Sequence, residues 1–128
     1  MSLSNTTASF KNFSLIKHEN QFYEIDVFAN SEFGFTELRQ LIEVQKEMGS
    51  DKLPVLVICG EYTTSDISFL RHLSKNGNDP YSKADAFVIQ SIAQKLVANF
   101  YIKMVSPERP TKFFTAKEEA LKWLGQYM

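Results

Sequence analysis

Cysteine and tryptophan occur once each in the 128 residues, and histidine only twice. The single thiol, Cys59, removes any intrachain disulfide framework and leaves too few thiolates for a structural zinc site; a reducing cytoplasm is the expected setting. His18 and His72 form no ligand pair at helical spacing, so no metal constellation is expected and no cofactor is called for. No apolar run approaches the roughly 20 residues needed to cross a bilayer, which argues against membrane insertion. Neither sign of charge is in excess: 14 Lys and Arg stand against 15 Asp and Glu. Without a broad positive field, nucleic acid is not an expected partner. The amino end, residues 1–9, is rich in Ser, Thr and Asn and lacks the basic start and apolar centre of a secretory signal. It has little to bury and is expected to be disordered, with a single domain over residues 10–128.

What is present is pattern. Residues 10–17 and 22–28 alternate, with Phe13 and Leu15, then Tyr23, Ile25 and Val27 opposed by Glu24 and Asp26; the polar break between them implies an antiparallel hairpin. From Thr36 the period changes. Leu38, Leu41, Ile42, Gln45 and Met48 share one helical stripe, and Gly49 supplies a stop. Leu53–Cys59 is an almost uninterrupted apolar run, as a strand covered on both faces requires. Ile67, Leu70 and Leu73 then indicate a second helix ending near Asn76 and Gly77, capped by Thr64 or Ser65 with Asp66 in its first turn. Ala84–Ile89 repeats the buried-strand pattern. Ser91 with Gln94, and Thr115 with Glu118, have capping-box spacing and mark two further helix starts. Between those helices, Pro107 and Pro110 confine Lys112–Phe114 to a short strand near a sheet edge. The sum is an α/β fold: an N-terminal β-hairpin followed by strand–helix units, giving a mixed five-stranded sheet covered by about four helices through right-handed crossovers.

The carboxyl-terminal module carries a resemblance. Ala84-Asp-Ala-Phe-Val-Ile89, a helix closing near Ala98-Asn-Phe100, the Pro107–Pro110 stretch, Thr111-Lys-Phe-Phe114 and the Glu118-Glu-Ala-Leu-Lys-Trp-Leu124 helix resemble small bacterial STAS-like domains, related to the anti-sigma-factor antagonists. The resemblance implies a STAS-like fold over roughly residues 10–126. In the antagonists a regulated serine follows a central strand, in an Asp-Ser-Ser-Gly-like motif. Here the corresponding place reads Thr63-Thr-Ser-Asp-Ile-Ser68, with Ser65 and Asp66 the nearest counterparts and the glycine absent.

Catalytic signals are sparse. Cys59 ends a buried strand, where a thiol behaves as a small inert hydrophobe. His18 falls in the hairpin turn and His72 on the polar side of a helix, without a positioned partner. Glu118 and Glu119 suit the first turn of a capped helix better than a catalytic pair. Phe100, Tyr101, Lys103, Arg109 and Lys112 mix aromatic and basic groups, but balanced charge elsewhere argues against a nucleic-acid surface. Among eleven phenylalanines, Phe28, Phe33 and Phe35 cluster around a turn and are a candidate partner surface. Gly60, Thr63, Thr64, Ser65 and Asp66, at the start of the second helix, form a candidate binding loop. Two functions follow. The first is a non-enzymatic regulatory or protein-interaction module of STAS-like type, with a protein partner or itself as a homodimer. The second is a small-ligand domain, holding an apolar or anionic metabolite or lipid at the carboxyl ends of the parallel strands.

Overall fold

Alternating burial organises the amino-terminal half. Phe13 and Leu15 are fully buried, and the register sets Phe13 opposite Val27 and Leu15 opposite Ile25. Together they make the expected hairpin of β2 (Phe13–His18) and β3 (Phe22–Val27). The computed structural model describes residues 6–128. Within that span, β1 (Thr6–Ser9) pairs antiparallel with β2, so the sheet has six strands where five were expected, and residues 6–9 belong to the fold. β1 is exposed and polar, and backbone pairing rather than apolar burial holds it: the free edge of β2 takes its amides and carbonyls, and Thr6 and Thr7 suit extended backbone. The rest of the expected disorder, residues 1–5, lies outside the described residues.

The remaining strands are β4 (Leu53–Cys59), β5 (Ser82–Val88) and β6 (Thr111–Phe114), and spatial order follows chain order. β3 to β6 run parallel. Both apolar runs thus lie side by side in the interior, flanked by paired neighbours, and β6 is an edge as its prolines require. Helices α1 (Phe35–Glu47), α2 (Ile67–Leu73), α3 (Ile92–Phe100) and α4 (Lys117–Leu124) complete the fold. Even-numbered residues of β4 and β5, Leu56, Ala84, Ala86 and Val88, pack with Ala120 and Leu124 of α4. Odd-numbered residues, Val55, Val57, Asp85 and Phe87, look the other way, toward the first three helices. One helix covers one face; three cover the other.

Helix starts differ in detail from the sequence reading. Ser91 caps α3 as expected, its Oγ accepting from Gln94 N at 3.1 Å. The cap of α2 is Asp66 itself, whose Oδ1 accepts from Phe69 N at 2.8 Å, because Ser65 instead donates its hydroxyl to Phe33 O. α4 begins at Lys117 after Ala116, one residue beyond the position that would let Thr115 cap, while Glu118 and Glu119 remain in its first turn. α1 stops at Gly49 (φ 112), a left-handed conformation that glycine adopts without strain. Nearby, Lys17 Nζ donates to Met48 O and Asp51 Oδ2, placing a cation at the negative end of the helix and tying it to β2.

The buried stripe of α1 is Leu38, Leu41, Val44 and Gln45. Gln45 is fully buried, and neither atom of its amide head finds a partner among the described residues. An unmet buried amide costs about 1–3 kcal/mol. Gln45→Leu is therefore expected to raise the free energy of unfolding by about 1–2 kcal/mol, read as a higher urea midpoint at unchanged slope. An unchanged or lower midpoint would show that the site needs its amide.

Candidate functional site

The three-helix face does not close on the sheet. Between them lies a cavity of about 480 Å³, floored by Ile25, Val27, Val55, Val57, Phe87 and Phe113 and roofed by Leu38 and Leu41 of α1, Phe69, Leu70 and Leu73 of α2, and Ala93, Val97 and Ala98 of α3. Its mouth is at the carboxyl ends of β4 and β5, where Tyr62 (73% exposed), Ser91, Ala93 and Val97 reach solvent. Open α/β sheets offer this end of the strands to ligands. Tyr62 holds a left-handed backbone (φ 60), uncommon for a bulky residue and frequent at binding sites.

Thr63, Thr64 and Ser65 of the candidate loop line the cavity. Gly60 and Asp66 do not. Gly60 is architectural: a Cβ there would lie 2.6 Å from Val27 O and 2.7 Å from Ala29 N, so only glycine permits the close approach of the two segments. Asp66 spends its carboxylate on the α2 cap, which sets a negative charge where an anion would otherwise meet the helix amides. The loop is held from both sides. Phe33 N donates to Thr64 O and Asn30 N to Glu61 O, while Gln94 Nε2, from α3, donates to Gly60 O at 2.9 Å and to Thr63 Oγ1 at 3.0 Å. Gln94 Oε1 in turn accepts from Gln90 N at 2.7 Å. This amide pins the roof helix to the rim.

At the inner end, polar groups replace the apolar wall. Arg109 is 5% exposed, and its guanidinium forks into the fold: Nε donates to Asp85 Oδ2 at 2.7 Å, and Nη2 to Asp79 Oδ2 and Leu73 O, each at 3.0 Å. Asp85 Oδ1 accepts from Ser82 Oγ. Asp79, Asp85 and Tyr101 face the cavity; Arg109 lies behind them. Two carboxylates sharing one guanidinium in a dry place cannot both ionise freely. Burial first, then Asp85, pushes the Asp79 carboxyl up to about 7, against the pull of Arg109. Tyr101 follows α3 on a π-helical turn, Tyr101–Val105, with its ring edge-on to Phe87 and Phe113. It is 1% exposed, its phenol has no hydrogen-bond partner among the described residues, and burial followed by Asp85 keeps it protonated.

Cys59 also lines the cavity. Burial pushes its thiol up to about 11, with a hydrogen bond to Thr63 acting the other way, which favours the protonated thiol at neutral pH. His18 stacks on Phe22 and meets Glu24 Oε1 at 3.0 Å, and His72 packs against Phe35; neither ring reaches the cavity. The candidate partner surface divides: Phe28 and Phe35 are 38% and 45% exposed, whereas Phe33 turns inward onto Phe13 and Phe69 and lines the cavity. Burial of Tyr101 and Arg109 dissolves the aromatic–basic set as one surface. Sequence reading does not single out Asp79 or Asp85, and it meets Tyr101 and Arg109 only in the aromatic–basic set and Gln94 only at a helix start. One local signal existed, an aspartate inside the apolar run Ala84–Ile89.

The profile of the DUF7793 family, described as a domain of unknown function, matches residues 18–128, and the chain belongs to that family. Among curated proteins there is no match. The fold is similar to the crystal structure of an uncharacterized protein from the DUF3478 family with a SpoIIAA-like fold, from Shewanella loihica PV-4. The two share 15% identity at a TM-score of 0.51, over 97% of this chain and 98% of that one. The likeness establishes the STAS-like architecture that the carboxyl-terminal module implies.

Two outcomes follow from this geometry. Gly60→Ala is expected to destabilise the fold by about 1–3 kcal/mol in urea unfolding, since its new methyl meets the backbone of Val27 and Ala29. Asp79 binds a proton more tightly folded than unfolded, so its contribution to stability is complete below about pH 4 and is lost as pH rises through about 7. Asp79→Asn, which keeps an oxygen for Arg109, lacks that dependence. Wild type is expected to lose on the order of 1–4 kcal/mol relative to the variant between pH 4 and pH 8. A flat or rising difference would exclude a proton on Asp79.

Proposed function

We propose that this member of the DUF7793 family is a non-enzymatic domain that binds a small, largely apolar molecule in the space between its sheet and helices. The cavity carries the reading. At about 24 cal/mol per Å³ of void, 480 Å³ left dry would cost on the order of 11 kcal/mol, as much as the whole stability of a typical domain. A space of this size and lining favours an apolar occupant, because its walls give water few hydrogen-bond partners. Its size falls within the range of drug-sized ligand pockets, about 300–1,000 Å³. Support for binding without turnover comes from the lining itself: the thiol is held protonated, and both imidazoles are engaged elsewhere.

A second reading, a regulatory protein-interaction module that associates with a partner or with itself, draws on the outward side chains of the roof. Ile92, Leu96 and Met104 are 81%, 66% and 67% exposed, an apolar set on the same segment that covers the cavity. The two readings are compatible, since a ligand under α3 would bear on the surface above it. Sedimentation of the free protein distinguishes a dimer from a monomer.

The neutral fluorophore N-phenyl-1-naphthylamine tests the first reading. Wild type is expected to enhance its fluorescence saturably, and near-saturating probe, about a hundredfold above Kd, to add roughly 2.7 kcal/mol to unfolding. Ala98→Phe, which pushes a ring into the cavity from α3, is expected to abolish the enhancement while leaving the fold intact by circular dichroism. Equal enhancement in both proteins, or none in either, would refute ligand binding at this place.

A further inference from the structure

The inner end of the cavity also constrains the ligand's chemistry, an inference that rests on the ligand-binding reading above. Among the described residues, the only charged side chains lining the cavity are two acids, Asp79 and Asp85. No cation faces it. The guanidinium that could have received an anion is spent: Nε on Asp85, Nη2 on Asp79 and Leu73 O, and Nη1 toward Asn76 Oδ1 at 3.5 Å. Both oxygens of Asp85 are occupied, by Ser82 Oγ and Arg109 Nε, and Oδ2 of Asp79 is taken by Arg109. Asp79 Oδ1 and the phenol oxygen of Tyr101 are left over, and the phenol is the fully buried one, 1% exposed as a residue and unpartnered within the fold. A phenol can donate one hydrogen bond and accept another. Buried polar atoms are rarely left without partners, and this one belongs to the cavity lining, close to Asp85 and Asp79.

We propose that Tyr101, flanked by Asp79 and Asp85, is a head-group site for a single uncharged oxygen, an alcohol or ketone carried on an apolar body, and that it rejects the carboxylate of the same body. An alcohol satisfies the phenol as donor or acceptor. A ketone accepts from it. A carboxylate entering there would leave water for a place where the nearest charges are acids and the one arginine points away, a repulsion that low local dielectric enlarges. An ammonium would have to leave water for a place where Arg109 already pairs with both acids and most acceptor oxygens are taken. Of the two ligand chemistries weighed on sequence, apolar and anionic, this end of the cavity selects the first.

The test uses the full chain and three probes of one length, 1-decanol, decanoate and decylamine, each displacing N-phenyl-1-naphthylamine at pH 7.5. Decanol is expected to displace at a concentration at least about tenfold below the other two. Tyr101→Phe is expected to weaken decanol by about fivefold to tenfold more than it weakens the fluorophore. Asp79→Asn removes one acid without touching the phenol, and is expected to narrow the gap between decanol and decanoate by at least about threefold; it provides the readout should Tyr101→Phe fail to fold. Equal displacement by all three probes, or preference for decanoate or decylamine, overturns the head-group assignment while ligand binding stands. Absence of fluorophore binding in wild type removes the ligand reading, and the head-group site with it.

Discussion

Arg109 holds this architecture together from a buried position. Its guanidinium joins three pieces of chain that are remote in sequence: Asp85 on β5, Asp79 in the connection before β5, and the last carbonyl of α2 at Leu73. A buried fork of this kind adds little net stability compared with a well-packed apolar core, but losing one partner strands the others and costs about 3–5 kcal/mol. Its geometry therefore dictates where α2 ends relative to the sheet, and so how far the roof stands from the floor. The cavity is bounded at its inner end by this cluster and at its rim by Gln94, whose amide joins α3 to the loop after β4. Between two polar anchors, an apolar interval is left open.

The open interval contrasts with the opposite face. There Ala84, Ala86 and Leu56 let α4 settle directly on β4 and β5, with Ala120 and Leu124 fully buried. Small side chains on the strands allow close approach on that side. On the cavity side, Phe87, Phe113 and Tyr101 form an aromatic group that keeps the third helix away from the floor. One sheet thus supports a dense layer and an open one, and the difference comes from which side chains fall on even and odd positions of two adjacent strands.

Much of this was legible from the chain alone, because periodicity reports burial. Leu53–Cys59 and Ala84–Ile89 read as doubly covered strands since nearly every residue is apolar, and α1 read as a helix from its spaced leucines. β1 left no such trace: Thr6–Ser9 joins the sheet through its backbone, and backbone pairing carries no residue signature. The rim of the cavity was within reach because topology puts loops such as Thr63–Ser65 at the carboxyl ends of parallel strands. Its inner end was not. Asp79, Arg109 and Tyr101 are residue types that normally sit at surfaces, drawn from three separate segments, and only their meeting in space gives them meaning. The cap of α2 was missed for a smaller reason: Asp66 and Ser65 compete for one role, and the fold assigns Ser65 to a neighbouring loop.

The margins of the sheet carry a last consequence. On one side lies β1, four residues long and mostly Thr and Ser; on the other lies β6, equally short, entered from Pro110 and bearing Lys112 over the ring of Phe114. Brevity, proline and an outward lysine all discourage another chain from extending a sheet. Lateral growth by strand addition is thereby disfavoured at both borders, which leaves the helical surface and the gap beneath it as the faces better suited to a partner.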